Sequence, residues 1–324
     1  MRYKSLNIKR KLEISKLVRG GIEEDVDLSK ISRWKIGGIA DCLVRPTGTE
    51  EVSSVIKYLY KHDLPYVVIG STSNILFSDD GLRAVCIQIG NDMSDYHINN
   101  TNVWAQSGVW VPGFAKNVAK AKLSGIEHTV GIPGTLGGLV CMNGGSQRKD
   151  IGRRVISVTA VSPQGEVVFF SNADCCFGYR TSVFQRNGNI ITEIELAFDK
   201  NQLYEVIRDE MLEILKSRRK KFPNKMPNCG STFISNSDLY NKIGPPGKII
   251  EELGFKGYRV GDAVVSNEHG NFINNLGNAK SNDVLQIIKN IRLSIIEKTG
   301  VAIDAEVIYV TPNGKLLRAH LVDI

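Results

Sequence analysis

Apolar residues along this chain fall into two rhythms. Behind Thr49-Glu50-Glu51 they recur at Val52, Val55, Ile56 and Leu59, the helical spacing, which predicts a capped helix with one buried face. Pro65 then opens the unbroken run Tyr66-Val67-Val68-Ile69, a buried strand by its length and branching. Strands are predicted over 84–89, 103–106 and 190–198, and a helix over 114–122. Two more strands, 155–161 and 166–170, flank Ser162-Pro163-Gln164-Gly165, a hairpin signal. A long helix over 203–221, with Ile207, Met211, Ile214 and Leu215 on one face, is expected to start a separate C-terminal unit. Pro223, Pro227, Pro245 and Pro246 break up the loops beyond that helix. Ser281 is predicted to cap a second strong helix (Val284, Ile287, Ile288, Ile291, Ile295) closed by Gly300. The last strand alternates, with Val301, Ile303, Ala305, Val307 and Tyr309 on one face and Asp304 and Glu306 on the other. Residues 1–30 read as a helical or loose polar leader, and 34–41 as a short strand broken by Gly37 and Gly38.

Two loops interrupt these rhythms. The stretch 125–145, GIEHTVGIPGTLGGLVCMNGG, holds seven glycines where average usage gives about two. Apolar residues interleave with them, so backbone must approach something closely or take positive φ there. Free amides in such a turn can cradle a pyrophosphate, and a tightly packed turn without ligand has equal standing on composition alone. The strand 66–69 also delivers a small polar loop, Gly70-Ser71-Thr72-Ser73-Asn74, an arrangement shared by phosphate sites and plain turns. Neither loop is a G-x-G-x-x-G, and no acidic residue follows at the distance a Rossmann ribose site requires.

Composition narrows the classes. The 324 residues are 42% hydrophobic and 23% charged, enough for two or three soluble domains. No signal-peptide core and no run of membrane-spanning length occurs, so a cytoplasmic protein without membrane association is expected. Cys42, Cys86, Cys141, Cys175, Cys176 and Cys229 form no C-x-x-C pair, and the five histidines are scattered; reduced thiols and no metal site are expected. The net charge of +7 suits an acidic partner. With 7% aromatic residues and no basic-aromatic stripe, that partner is expected to be a polyphosphate small molecule rather than nucleic acid. The run Lys216-Ser217-Arg218-Arg219-Lys220-Lys221 reads mostly as a solvated helix end.

Nine separated motifs, in order over roughly 31–310, resemble the flavin-dependent UDP-N-acetylenolpyruvoylglucosamine reductases (MurB family). They are Lys35-Ile36-Gly37-Gly38 through Asp41, Gly70 through Asn74, Gly131-Ile132-Pro133-Gly134-Thr135-Leu136-Gly137-Gly138, and Phe177-Gly178-Tyr179-Arg180. Lys221-Phe222-Pro223, Gly230-Ser231, Lys256-Gly257-Tyr258-Arg259-Val260-Gly261, His269-Gly270-Asn271-Phe272-Ile273 and Glu306-Val307 complete the set. The short interval after Phe184 is similar to the subtype without an extra tyrosine-bearing loop.

The resemblance implies an α+β fold: a two-subdomain FAD-binding module of the vanillyl-alcohol-oxidase (PCMH) type, over 1–82 and 83–200, then an α+β substrate-binding domain over 201–324. It implies FAD as cofactor, held by Gly70, Ser71, Thr72, Ser73, Asn74, Gly131, Ile132, Pro133, Gly134, Thr135, Gly137 and Gly138. NADPH is the implied reductant and a nucleotide-sugar enol ether the implied substrate, acted on by a monomer. Arg180 carries over as the cation facing the developing enolate, Ser231 as the proton donor and Glu306 as the group completing the cluster. Tyr179, Lys221, Ser235 and His269 carry over as substrate contacts, Lys221 at the diphosphate. Structural roles stand beside these: an ion pair for Arg180, a turn for Ser231, a solvated strand position for Glu306.

Three departures bear on these expectations. Thr72 stands where the family has glycine, and threonine resists positive φ, so a reshaped loop or a weaker grip on FAD is expected. Phe233-Ile234-Ser235-Asn236 replaces F-K-N-P, leaving Ser235 as a short substitute. Asn143-Gly144-Gly145-Ser146-Gln147 replaces the usual N-A-G-A-Y-G. These motivate two alternatives: a paralogous flavin reductase for another nucleotide sugar, or a non-catalytic flavin or nucleotide-sugar binding protein.

Overall fold

In the computed structural model, residues 6–200, 202–223, 225–235 and 237–324 are described, without the side chains of 237–239. The chain opens with α1 (Ile8–Ser15), β1 (Ile22–Asp27), α2 (Leu28–Ile31), β2 (Ile39–Val44), α3 (Thr49–Lys61), β3 (Tyr66–Ile69), β4 (Ile75–Phe77) and β5 (Leu82–Gln88). A four-stranded sheet has the order β1-β2-β5-β3, with β2 and β3 both parallel to β5. Parallel neighbours need a crossover, and α3 supplies one. Its Val52, Val55, Ile56 and Leu59 are buried as the spacing required, with Glu50 and Glu51 in the first turn and Lys61 in the last.

Two expectations need correction here. The leader is not merely helical or loose: β1 pairs antiparallel with β2, although Glu23-Glu24-Asp25 hid it from any apolar pattern. Backbone pairing at a sheet edge does not require apolar side chains. Nor does a strand run from Trp34; pairing starts at Ile39. Trp34 and Ile36 are buried in the C-terminal core instead, where the Trp34 indole donates to Ile273 O at 2.8 Å. Gly38 then passes so close to the backbone that an added Cβ would lie 2.1 Å from Asp79 O.

Next come β6 (Tyr96–Asn99), β7 (Asn102–Gln106), α4 (Val111–Lys120), α5 (Leu136–Cys141), β8 (Val155–Val161), β9 (Val167–Ser171) and β10 (Ile190–Ala197). They form an antiparallel sheet in the order β6-β7-β10-β8-β9, with the predicted hairpin between β8 and β9. The long helix α6 (Tyr204–Lys221) follows. Ile207, Met211 and Ile214 join the core of this second sheet, so α6 packs as part of the second unit, not as the start of a separate one.

The remainder is α7 (Ser237–Ile243), α8 (Pro246–Glu252), β11 (Arg259–Val260), β12 (Ala263–Val265), β13 (Ile273–Asn275), α9 (Ser281–Thr299), β14 (Ile308–Val310) and β15 (Leu316–Arg318). α9 buries all five predicted residues against the sheet β11-β12-β13 and ends at Gly300 with φ +70°. Ser281 is its first helical residue, and the side chain that meets its amide is Asp79 of the first unit, at 2.7 Å. The predicted strand 301–309 is shorter than its alternation suggested. Ile303, Ala305 and Val307 are buried, but regular pairing is confined to β14, preceded by a single bridge from Ala305 to Phe233. β14 lies between β15 and the parallel β4, so the last strands return to the first unit.

We propose drawing the first boundary after β5 rather than at residue 82, because β5 lies inside the first sheet, and placing α6 with the second unit. Among the described residues no helix is long and apolar enough to cross a membrane, and no cluster of His, Cys, Asp and Glu could hold a metal. All six cysteines are free.

Candidate active site

β3 and α5 point their connecting loops at one place. A Cβ on Gly70 would lie 2.5 Å from Thr135 Oγ1, so loops 70–74 and 131–135 touch through a position only glycine can fill. Gly137 is equally constrained: its amide donates to Ser107 O at 2.7 Å, and a Cβ there would meet Ser107 Cβ at 2.7 Å. Thr135 Oγ1 caps α5 by accepting from Gly138 N. The amides of Ser71, Thr72, Ser73, Asn74, Gly131 and Gly134 meet no protein acceptor among the described residues. Ser71 Oγ is buried without a partner among them. This concentration of free donors fits the pyrophosphate of FAD, which the residues present would hold through backbone.

Thr72 occupies its loop in the left-handed region that it was expected to resist. It takes φ +56° and is buried. Left-handed backbone costs a β-branched residue roughly 1–2 kcal/mol. The hydroxyl offsets that by accepting from Arg33 N at 3.1 Å while lying 2.8 Å from Ser71 O and 3.1 Å from Ile31 O. Thr72→Val keeps the shape but strands the Arg33 amide. It is expected to cost about 1–3 kcal/mol in urea unfolding of the flavin-free protein.

A second junction sews this loop to the C-terminal domain. Asn74 Nδ2 donates to Glu306 O at 3.0 Å, Ile308 N donates to Asn74 O at 3.0 Å, and the Cys229 thiol lies 3.4 Å from Thr72 O. Glu306 N in turn donates to Thr232 O at 2.8 Å, which fixes Ser231 one residue away. Asn271 braces the same strand from the other side. Its Oδ1 accepts from Phe233 N at 2.8 Å, its Nδ2 donates to Phe233 O at 3.0 Å, and its carbonyl accepts from Thr232 N. Ser231 follows Gly230, whose φ is +79°, and its hydroxyl has no hydrogen-bond partner among the described residues.

Arg180 arrives from a third place. Gly178 and Thr181 exchange backbone hydrogen bonds at 3.0 and 3.2 Å, leaving Tyr179 and Arg180 at the tip of a two-residue turn. Arg180 has φ +54° and its Nη2 donates to Gly145 O at 2.9 Å. Asn143 holds the turn, donating to Gly178 O and accepting from Gly152 N. Thus the departure at 143–147 preserves a scaffold: Asn143 and Gly145 both serve Arg180.

Charge at this junction is unbalanced in a useful way. Burial raises the Glu306 pKa above the usual carboxylate range, and Arg180 and Arg318 act against that rise. Burial lowers the pKa of Arg218, with Arg180 the second cause. Arg218 presses on the glycine loop, where a Cβ on Gly131 would lie 2.4 Å from Arg218 Cδ, and its guanidinium covers the Phe222 ring at 4.9 Å. The basic run around it, solvated by pattern, conceals this residue in the sequence. A signal is present all the same, since Ile207, Met211, Ile214 and Arg218 continue one helical stripe.

The expected substrate contacts divide. His269 is half-buried against Phe222 and Phe272, its pKa lowered by burial, and Nδ1 accepts from Asn271 N. Tyr179 is 67% exposed at the turn tip. Lys221 is exposed with no ion pair among the described residues, and Ser235 is half-buried. Asn236 lies outside the described residues. A cavity of about 700 Å³ beside the turn is walled by Arg148, Lys149, Asp150, Arg153, Tyr179 and Arg180; Asp150 pairs with Arg153 at 3.5 Å and Lys149 with Glu210 at 3.3 Å, which leaves Arg148 and Arg180 as the cations without an ion pair among the described residues.

His128, inside the glycine stretch, is 1% exposed, and neither ring nitrogen has a partner among the described residues. Burial, then Lys149, pushes its pKa down to about 4 from the ordinary 6.5. Between those values the unfolded chain binds the extra proton, so stability falls as pH drops from 6.5 towards 4. The shift corresponds to roughly 3 kcal/mol. Denaturant titrations across that window are expected to lose this slope in His128→Phe.

The sequence profile described as "UDP-N-acetylenolpyruvoylglucosamine reductase, C-terminal domain" matches residues 222–310, and an "FAD binding domain" profile matches 40–171. UDP-N-acetylenolpyruvoylglucosamine reductase 1 of Corynebacterium glutamicum is 40% identical over 296 residues, covering 91% of this chain and 88% of the relative. This chain belongs to the UDP-N-acetylenolpyruvoylglucosamine reductase family. The Syntrophomonas wolfei reductase is 37% identical over 276 residues, covering 85% of this chain and 90% of that protein. The crystal structure of the Thermus caldophilus reductase (MurB) superposes with a TM-score of 0.75 at 29% identity, covering 89% of this chain and 98% of that one. The reductase fold expected from the motifs, α+β with an FAD-binding module ahead of a substrate domain, is therefore the fold of this chain, and FAD is its cofactor.

Proposed function

We propose that this chain reduces UDP-N-acetylglucosamine enolpyruvate to UDP-N-acetylmuramate, a peptidoglycan precursor, at the expense of NADPH. The observation that carries this reading is the hydrogen bond from Glu306 N to Thr232 O. It fixes the Ser231 and Glu306 backbones side by side, while Arg180 acts electrostatically on Glu306 and the free amides of 70–74 are tied to the same strand. Relatives at 37–40% identity carry the reductase name across nearly their whole length, which disfavours a paralogue or a non-catalytic binder.

The free amides of Ser71 to Asn74, Gly131 and Gly134 would hold FAD, which would supply the hydride for the terminal carbon of the enolpyruvyl group with NADPH as the reductant. Charge then builds on the substrate carboxylate, and Arg180 lowers the barrier by facing it with a fixed cation. Ser231 delivers a proton to the adjacent carbon, giving the lactyl ether. A hydroxyl is a weak acid, so it serves only when held beside a strongly basic enolate, and Asn271 and Thr232 supply that holding. Glu306 completes the polar cluster. The diphosphate falls to Lys221, with Tyr179, Ser235 and His269 as further substrate contacts.

The test is NADPH oxidation with the enolpyruvyl nucleotide sugar against UDP-N-acetylglucosamine. Stimulation by the first alone, with UDP-N-acetylmuramate formed in equal amount, supports the reading. Equal or absent stimulation contradicts it.

A further inference from the structure

The hairpin β14–β15 pairs Ile308 with Arg318, and Ala319 N donates to Val307 O at 2.9 Å, so the pairing continues towards Glu306. Residues two apart on an extended chain share a face, which puts Glu306, Ile308 and Arg318 on one side of the hairpin. Diagonal neighbours there are about 7–8 Å apart, within reach of an arginine side chain. Arg318 and Arg180 are the two cations acting on the Glu306 carboxylate. They are not equivalent. The Arg180 guanidinium is anchored to Gly145 O, and the reductase reading requires it to face the substrate carboxylate. Arg318 has no hydrogen-bonded or ion-paired partner for its side chain among the described residues. It also lies beyond residue 310, where the family profile match ends.

We propose that Arg318 is a positioning residue for Glu306. It balances the charge of the glutamate carboxylate from the β15 side, so that Arg180 remains available to an anionic ligand. The neighbouring groups leave this task to Arg318. His320 accepts from Ala305 N through Nδ1 and faces Asp304 through Nε2 at 3.2 Å, with Arg292 and Arg318 as the cations acting on it, while Arg218 is held off by Arg180. The significance for catalysis rests on the reductase reading; the placement of Arg318 beside Glu306 on the hairpin does not.

The experiment is a carbon-13 NMR titration of the full flavin-loaded chain labelled at the glutamate carboxyl carbon, with the Glu306 signal assigned by its loss in Glu306→Gln. Arg318→Met is expected to move the Glu306 midpoint upward by on the order of one pH unit, and Arg318→Lys to restore it. Arg318→Gln serves if the methionine variant does not fold. An unmoved midpoint in a folded, flavin-loaded variant overturns the proposal, as does a midpoint that lysine fails to restore. Because no substrate is present, these outcomes are separate from failure of the reductase reading, which NADPH oxidation by the unaltered protein reports.

Discussion

Ser231→Ala is expected to leave a yellow, folded protein that NADPH still reduces, while formation of the lactyl ether falls roughly 10²–10⁴-fold. The effect is large because the hydroxyl is the only part of Ser231 removed. The backbone around it is fixed independently, by Thr232 to Glu306 and by Phe233 to Asn271. Stopped-flow spectra separate the half-reactions: flavin bleaching by NADPH at its usual rate, then slow return of colour with substrate. Unchanged turnover would remove Ser231 from the chemistry and leave it as the turn residue after Gly230.

Arg180→Met is expected to lower kcat and kcat/KM together by about 10²–10³-fold, the signature of an interaction made in the transition state. Its side chain makes one hydrogen bond, to Gly145 O, and no ion pair at bonding distance among the described residues. A stabilising role alone would therefore appear as a small shift in thermal unfolding with activity retained. Steady-state kinetics beside a melting curve distinguish the two. A rise in KM with kcat unchanged would reassign Arg180 to uniform substrate binding.

Much of this site is legible in the sequence, because it is built from local signals. Glycines at Gly70 and Gly137 mark backbone contacts that no side chain tolerates, and the stripes of α3 and α9 state their buried faces outright. The features that escape a sequence reading are non-local. Nothing near Asp79 announces that it meets the first turn of α9, and nothing near Trp34 places it in the C-terminal core. The edge strand β1 is charged, so pairing rather than pattern defines it. Thr72 shows the limit of a local rule. Its conformational penalty is foreseeable, but the hydrogen bonds that offset it come from Ile31 and Arg33. Arg218 is hidden differently, by a basic run whose other members are more exposed.

The most direct measurement is an anaerobic spectral titration of the purified chain. A flavin spectrum is expected, bleached by one equivalent of NADPH and restored by one equivalent of UDP-N-acetylglucosamine enolpyruvate. A folded protein that is colourless and takes up no FAD, or a bleached flavin that the enolpyruvyl sugar leaves bleached, would contradict it.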